Sequence, residues 1–226
     1  MKYIVIGLGF FGSYLATKLT SLGHEVIGID RHIERAEELK DSVTKVMIMD
    51  CTRYEALQSL PLADVDAVIV AIGEDIGSSI LILSMLRKMK VKRIIGRVIN
   101  PIHQSILNEL GIEEVIHPEE EIATELSAML MLKDAVKIMF VNDKVIIAEL
   151  KIPPVYVGHS LEAVNLKARF NIDVVAVKIA PTEKAVAALF RRDYQVDTLC
   201  DPGRLLGEKD RLIVIGTLEA IRRLVA

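Results

Sequence analysis

Residues 4–12 read Ile-Val-Ile-Gly-Leu-Gly-Phe-Phe-Gly, and the next apolar run closes on Asp30. A β-branched run, a G-x-G-x-x-G turn, a helical stretch, a second run and an acid at its tip leave few folds open. The layout is that of a βαβ unit holding a nucleotide diphosphate. Gly7 takes the tight turn out of the first strand, Gly9 lets phosphates approach the backbone, and Gly12 lets the helix pack close to the strand. The helix expected over residues 10–22 aims its free N–H groups and positive dipole end at the pyrophosphate. Asp30 is suited to a ribose diol and would repel a 2′-phosphate, which disfavours NADP.

The remaining sequence alternates in the same way through the first half. Short β-branched runs at 3–6, 25–29, 45–49, 67–71, 93–98 and 114–116 are separated by helical patterns at 10–22, 33–40, 53–60, 75–89 and 101–110. That alternation predicts an α/β fold, a Rossmann-like doubly wound and mostly parallel sheet covered on both faces. Asn100-Pro101 and Gly111 bracket the fifth helix, and Pro118 opens a sixth with Glu119, Glu120 and Glu121 in its first turn. The pattern then changes. Residues 136–141 and 145–152 flank Asn142-Asp143 as a hairpin, Pro153-Pro154 breaks the strand, and Ser160-Leu161 starts a short helix ending near Asn165. Residues 174–179 and 212–215 read as buried strands, and 217–224 as a closing helix. The expected division is 1–134, a nucleotide-binding domain, and 135–226, a small α+β domain.

Composition narrows the partners. Lys and Arg number 28 against 31 Asp and Glu, giving a net charge of −3, and aromatics are 4%. Neither the basic surplus nor the stacking platforms of a nucleic-acid binder are present, and Arg191-Arg192 and Arg222-Arg223 are too sparse for a recognition helix. Cys51 and Cys200 make no disulfide framework, so a reducing cytoplasm is expected. Met1 leads straight into the first strand, leaving no room for a signal peptide. No apolar run reaches the ~20 residues that span a bilayer, so any membrane association is expected to run through a partner.

With both halves read, the chain resembles the cytosolic regulatory subunits of Trk- and Ktr-type potassium transporters, built from RCK domains (regulators of the conductance of potassium). The resemblance lies in Val5-Ile-Gly-Leu-Gly-Phe-Phe-Gly12, Gly23-His-Glu-Val26, Val68-Ile-Val-Ala-Ile-Gly73 and His117-Pro-Glu119. In the second half it lies in Gly158-His-Ser-Leu161, Asn165-Leu-Lys-Ala-Arg169, Asp201-Pro202 and Gly207-Glu-Lys-Asp210. It implies a non-enzymatic sensor of adenine nucleotides (ATP or ADP, AMP, NAD or NADH). It also implies dimers that exchange the helix beginning near Pro118 and assemble into an octameric ring. The ring would dock at the inner face of the cell membrane on a potassium-conducting subunit (TrkH/KtrB-like).

On this reading Gly7, Leu8, Gly9, Phe10, Phe11 and Gly12 line the phosphates and Asp30 holds the ribose. Arg31 either covers the adenine or is a solvated residue. Asp50 and Cys51 border the adenine, unless Cys51 is a core residue. Ala71, Ile72 and Gly73 end the fourth strand at the crevice. Arg97 either forks onto a phosphate or makes a surface ion pair. By resemblance, Glu119 helps hold Mg²⁺ or Ca²⁺ between two nucleotides at a dimer interface; otherwise it is a helix-start carboxylate. His117 reads as a turn residue.

Two features depart from the family. Phe10-Phe11 stands where many members carry an Arg that meets the terminal phosphate. Losing such a contact costs about 1.5–3 kcal/mol, which predicts weak discrimination of ATP from ADP. Residues 181–190 read as an insertion, with a short interface helix as one possibility. Some relatives bind cyclic di-AMP in the small domain, but Lys167, Arg169, Ile172 and Val174 assign no site for it here. The competing class is an NAD-dependent oxidoreductase of small substrates, which needs a base facing the nicotinamide. His24, His32, His103, His117 and His159 form no obvious constellation for it.

Overall fold

The computed structural model describes residues 1–181 and 194–226. The expectations on residues 182–190 and on Arg191-Arg192 lie outside the described residues. The chain divides into two compact units, Met1–Pro118 and Glu119–Ala226.

In the first unit the strands are β1 (Lys2–Ile6), β2 (Glu25–Asp30), β3 (Lys45–Ile48), β4 (Ala67–Val70), β5 (Ile94–Arg97) and β6 (Glu114–Ile116). The helices between them are α1 (Phe10–Ser21), α2 (Ile33–Glu37), α3 (Tyr54–Gln58), α4 (Ile76–Lys88) and α5 (Pro101–Glu109). All strand pairs are parallel, in the order β3-β2-β1-β4-β5-β6. The strands read as unbroken apolar runs because the sheet is buried on both faces. Ile4, Ile6, Val68 and Val70 pack on one face with Leu83 and Leu86 of α4 and Leu107 of α5. Val5, Ala67 and Ile69 pack on the other with Ala16 of α1. Burying each such side chain contributes about 1.5–3 kcal/mol. The strand order reverses between β1 and β4, and the carboxyl ends of those strands define the crevice of an open α/β sheet.

The second unit contains α6 (Pro118–Met131, but for its first residue), β7 (Ala135–Phe140), β8 (Val145–Lys151), α7 (Leu161–Val164), α8 (Leu166–Phe170), β9 (Asp173–Ile179), β10 (Gln195–Asp197), β11 (Arg211–Thr217) and α9 (Leu218–Leu224). Its sheet is antiparallel, in the order β10-β9-β11-β8-β7. The β7–β8 turn is tied by Asn142, whose Oδ1 accepts the N–H groups of Lys144 and Val145, both at 2.9 Å. Ile138, Ile146, Leu150, Val177, Leu212 and Val214 form one core with Leu166, Ile221 and Leu224. Ala128 and Leu132, at the end of α6 and just beyond it, are buried in the same core. The packing division therefore falls at the start of α6, whereas the sequence-based boundary at 134 falls after its end.

Candidate functional site

The glycine turn follows β1. Gly7 has φ +94°, and a Cβ there would lie 2.9 Å from Ile72 Cγ1 and 3.2 Å from the Ile72 nitrogen. At Gly12 a Cβ would fall 1.8 Å from the Gly7 carbonyl oxygen, so the start of α1 can pass beneath the turn only without a side chain. Gly9 is different. It has extended backbone at the N-cap of α1, and the nearest atom to a Cβ there is Arg35 Nη1, 3.8 Å away. No side chain caps α1 and no acid stands in its first turn. The first N–H groups of the helix have no intrahelical acceptor and carry the positive end of its dipole. This is a cradle a Cβ would fill, with uncapped donors around it, and it fits a phosphate.

Asp30, at the tip of β2, is buried. Its Oδ2 accepts the Leu8 N–H at 2.7 Å and its Oδ1 accepts the His32 N–H at 2.9 Å. The carboxylate thus fixes the glycine turn from the neighbouring strand. The Arg31 Nε donates to His32 Nε2 at 3.2 Å, and its Nη1 lies 3.7 Å from Asp75 Oδ2. Asp50 closes a turn after β3, accepting from the Thr52 hydroxyl at 2.6 Å and the Thr52 N–H at 3.0 Å. Those two hydrogen bonds, the hydroxyl first, hold its carboxyl below the usual range. Cys51 is 4% exposed and sits in the core with Ile4, Ile6 and Ile29. Burial first, then the charges of Asp50 and Asp30, push its thiol up to about 12, so it is a neutral packing group at neutral pH.

On the β4 side, Ala71 is buried and its carbonyl accepts from Arg97 Nη1 at 3.4 Å. The Arg97 guanidinium lies against Gly73, where a Cβ would come within 2.5 Å of Nη1, and 5.5 Å from the centre of the Phe11 ring. Phe11 is therefore a partner of Arg97 as well as a member of the turn. Phe10 is 99% exposed. The structure thus gathers Gly7 to Gly12, Asp30, Ala71, Ile72, Gly73 and Arg97 around the carboxyl ends of β1, β2, β4 and β5. Cys51 points into the core. Glu119 stands in the first turn of α6 with Glu120 and Glu121. Among the described residues, no three His, Cys, Asp or Glu side chains gather where they could hold a metal ion.

Sequence reasoning missed Arg35. Its Nη1 is 3.7 Å from Asp30 Oδ2 and its Nη2 is 3.6 Å from Glu74 Oε2, with the side chain beside Gly9. The only signal was an arginine in the helix after β2, where basic residues are ordinary. Of the histidines, His24 meets the Tyr3 ring edge-on and His103 is fully buried in the first turn of α5. No helix among the described residues is long and apolar enough to cross a membrane.

Two proteins of Bacillus subtilis (strain 168) are similar to the chain along nearly its whole length. Ktr system potassium uptake protein C is 27% identical over 222 residues, 98% of this chain and 95% of that protein. Ktr system potassium uptake protein A is 25% identical over 224 residues, 98% and 94%. Among solved structures, the GsuK RCK domain shares the fold with a TM-score of 0.65 at 19% identity, covering 100% of this chain and 47% of that one. A structure of the GsuK channel bound to NAD gives the same TM-score and identity but 39% coverage of its own chain. Residues 3–118, just over half of the sequence, match the TrkA-N domain family, and the chain belongs to that family.

Proposed function

We propose that this chain is the nucleotide-binding regulatory subunit of a potassium uptake system, switching an ion-conducting membrane subunit without chemistry of its own. The observation that carries the nucleotide part is the uncapped start of α1 at Gly9, beside a buried Asp30 that pins the turn through Leu8. The potassium part rests on the end-to-end similarity to the two Ktr proteins. Residues 1–134 would bind the nucleotide and 135–226 would serve regulation, with α6 shared between assembly and core.

In this reading Gly7, Leu8, Gly9, Phe10, Phe11 and Gly12 surround the phosphates with backbone N–H groups. Asp30 faces the ribose, and Arg31 and Asp50 border the base. Ala71, Ile72 and Gly73 form the far wall, and Arg97 is held over Phe11 and Gly73 at the phosphate end. ATP, ADP, AMP, NAD and NADH all carry the adenosine phosphate this crevice fits. The GsuK channel bound to NAD has the same fold. Phe10 offers the terminal phosphate no charge, so ATP and ADP should bind with similar affinity. Glu119 presents one carboxylate, and a Mg²⁺ or Ca²⁺ site there would need ligands from a second copy. The assembly proposed is a dimer and a ring of eight, docked at the inner face of the cell membrane through its partner.

Titration calorimetry of the full chain with ATP, ADP, AMP and NAD tests the ligand class. Potassium flux through the membrane partner, with and without the bound nucleotide, tests the output. Indifference to all four compounds would overturn the reading.

A further inference from the structure

Resting on that nucleotide reading, we infer that Arg35 is a pyrophosphate-binding residue, held in waiting by Glu74 and handed over when a nucleotide enters. Arg35 Nη1 is the nearest atom to the open side of Gly9, the one position in the turn where space is left. Its two acidic neighbours lie at 3.7 and 3.6 Å, beyond hydrogen-bond reach, so they tether the guanidinium without satisfying its donors. Asp30 already accepts the Leu8 and His32 N–H groups with its two oxygens. Glu74 is 86% exposed, and an ion pair so open to solvent is weak.

A diphosphate at Gly9 would bring more negative charge than Glu74 and a geometry that a guanidinium matches with two parallel hydrogen bonds. Two other cations stand at the crevice, each with its own contacts. Arg31 is turned toward His32 and Asp75, and Arg97 lies over Gly73 and Phe11. Phe10 and Phe11 bring no charge to the turn. Arg35 supplies that charge from α2, one strand away, which is why the glycine motif does not reveal it. The Arg35–Glu74 pair also bridges α2 and the β4–α4 loop across the turn. A phosphate that takes the arginine therefore competes with Glu74, and the acid acts as a brake on affinity.

The experiment is calorimetric titration of the full chain with ADP, in wild type and in Arg35→Ala, Arg35→Lys and Glu74→Gln. Removing the guanidinium should weaken ADP by about ten- to a hundredfold. Lysine should restore part of that loss, because it keeps the charge and loses the fork. Glu74→Gln should tighten ADP several-fold, and wild type should prefer ADP to AMP, a preference that should shrink in Arg35→Ala. ADP affinity unchanged in a folded Arg35→Ala overturns the inference. If that variant does not fold, ADP affinity unchanged in Glu74→Gln, an exposed substitution, overturns it instead. Failure of wild type to bind ADP, ATP, AMP or NAD is a different result, and it overturns the nucleotide reading itself.

Discussion

At the scale of single residues, the glycines of the turn are not equivalent. Gly12 meets backbone: the Gly7 carbonyl lies 1.8 Å from where a Cβ would stand. Neither partner can yield without unwinding the turn or lifting α1, so Gly12→Ala should cost about 3 kcal/mol or more. Urea denaturation reads this directly. Gly73 meets only the far end of Arg97. A side chain there displaces the guanidinium, so Gly73→Ala should cost less stability and be felt mainly in nucleotide affinity. In the second unit the sensitive group is Glu149, whose oxygens accept from Lys178 Nζ at 2.7 Å and Arg211 Nη1 at 2.6 Å. Burial alone would raise its pKa, but the two charged hydrogen bonds outweigh burial and hold the carboxyl below its ordinary value. A depressed folded-state pKa stabilises the fold above the unfolded-state value, and that contribution is lost as pH falls through the folded value. Glu149→Gln should therefore cost about 3 kcal/mol at pH 7, because it leaves two half-buried cations unpaired. The difference from wild type should close as denaturation is repeated at pH values falling below about 4.

At the scale of elements, sequence legibility follows length and period. Strands β1 to β6 and helices α1, α4, α5 and α6 were visible because two-sided burial writes long apolar runs and long amphipathic stretches. The N-cap of α5 was legible as Asn100-Pro101, and Asn100 Oδ1 accepts the His103 N–H at 2.8 Å. Among the short elements, α2, α3, α7 and β6 were legible from the regular alternation or a capping residue, whereas α8 and β10 were not. The helix expected to stop near Asn165 does stop there, but Asn165 also begins α8: it has φ +45° and its Oδ1 accepts the Ala168 N–H at 3.2 Å. One residue serves as the end of one helix and the cap of the next, which a periodicity of four or five residues cannot display. Asn165→Ala loses the cap and places a Cβ in the left-handed region without a polar compensation, so it should cost about 2 kcal/mol. Asn165→Gly keeps the conformation open and should cost less, a contrast thermal denaturation can resolve. Strand β10 has three residues, as β6 does, but unlike β6 it has no place in a regular strand–helix alternation to mark it. The candidate site was legible where the motif is local, at Gly7 to Gly12 and Asp30. Arg35 and the Phe11–Arg97 contact were hidden because they join elements that only the fold brings together.

At the scale of the whole molecule, a sensor must convert occupancy into a preference between two shapes. Moving a two-state equilibrium from mostly shut to mostly open takes about 5.5 kcal/mol of differential binding. Shared over the proposed ring of eight copies, each nucleotide need favour one shape by less than about 1 kcal/mol. Such a preference is within reach of a single rearranged ion pair, such as Arg35 leaving Glu74, and it asks for no large motion at the crevice. Binding itself should be far larger than this difference. A nucleotide that binds only the folded first unit stabilises it by about 2.7 kcal/mol at a concentration a hundred times its Kd. Hydrogen exchange should report this where the crevice is built. Amides of β1, β2 and β4 that exchange through global opening of Met1–Pro118 should slow by about a hundredfold at saturating ADP. Under the same conditions Arg35→Ala should slow them by much less. Equal protection in the two proteins would mean that the phosphate is held by the glycine turn alone.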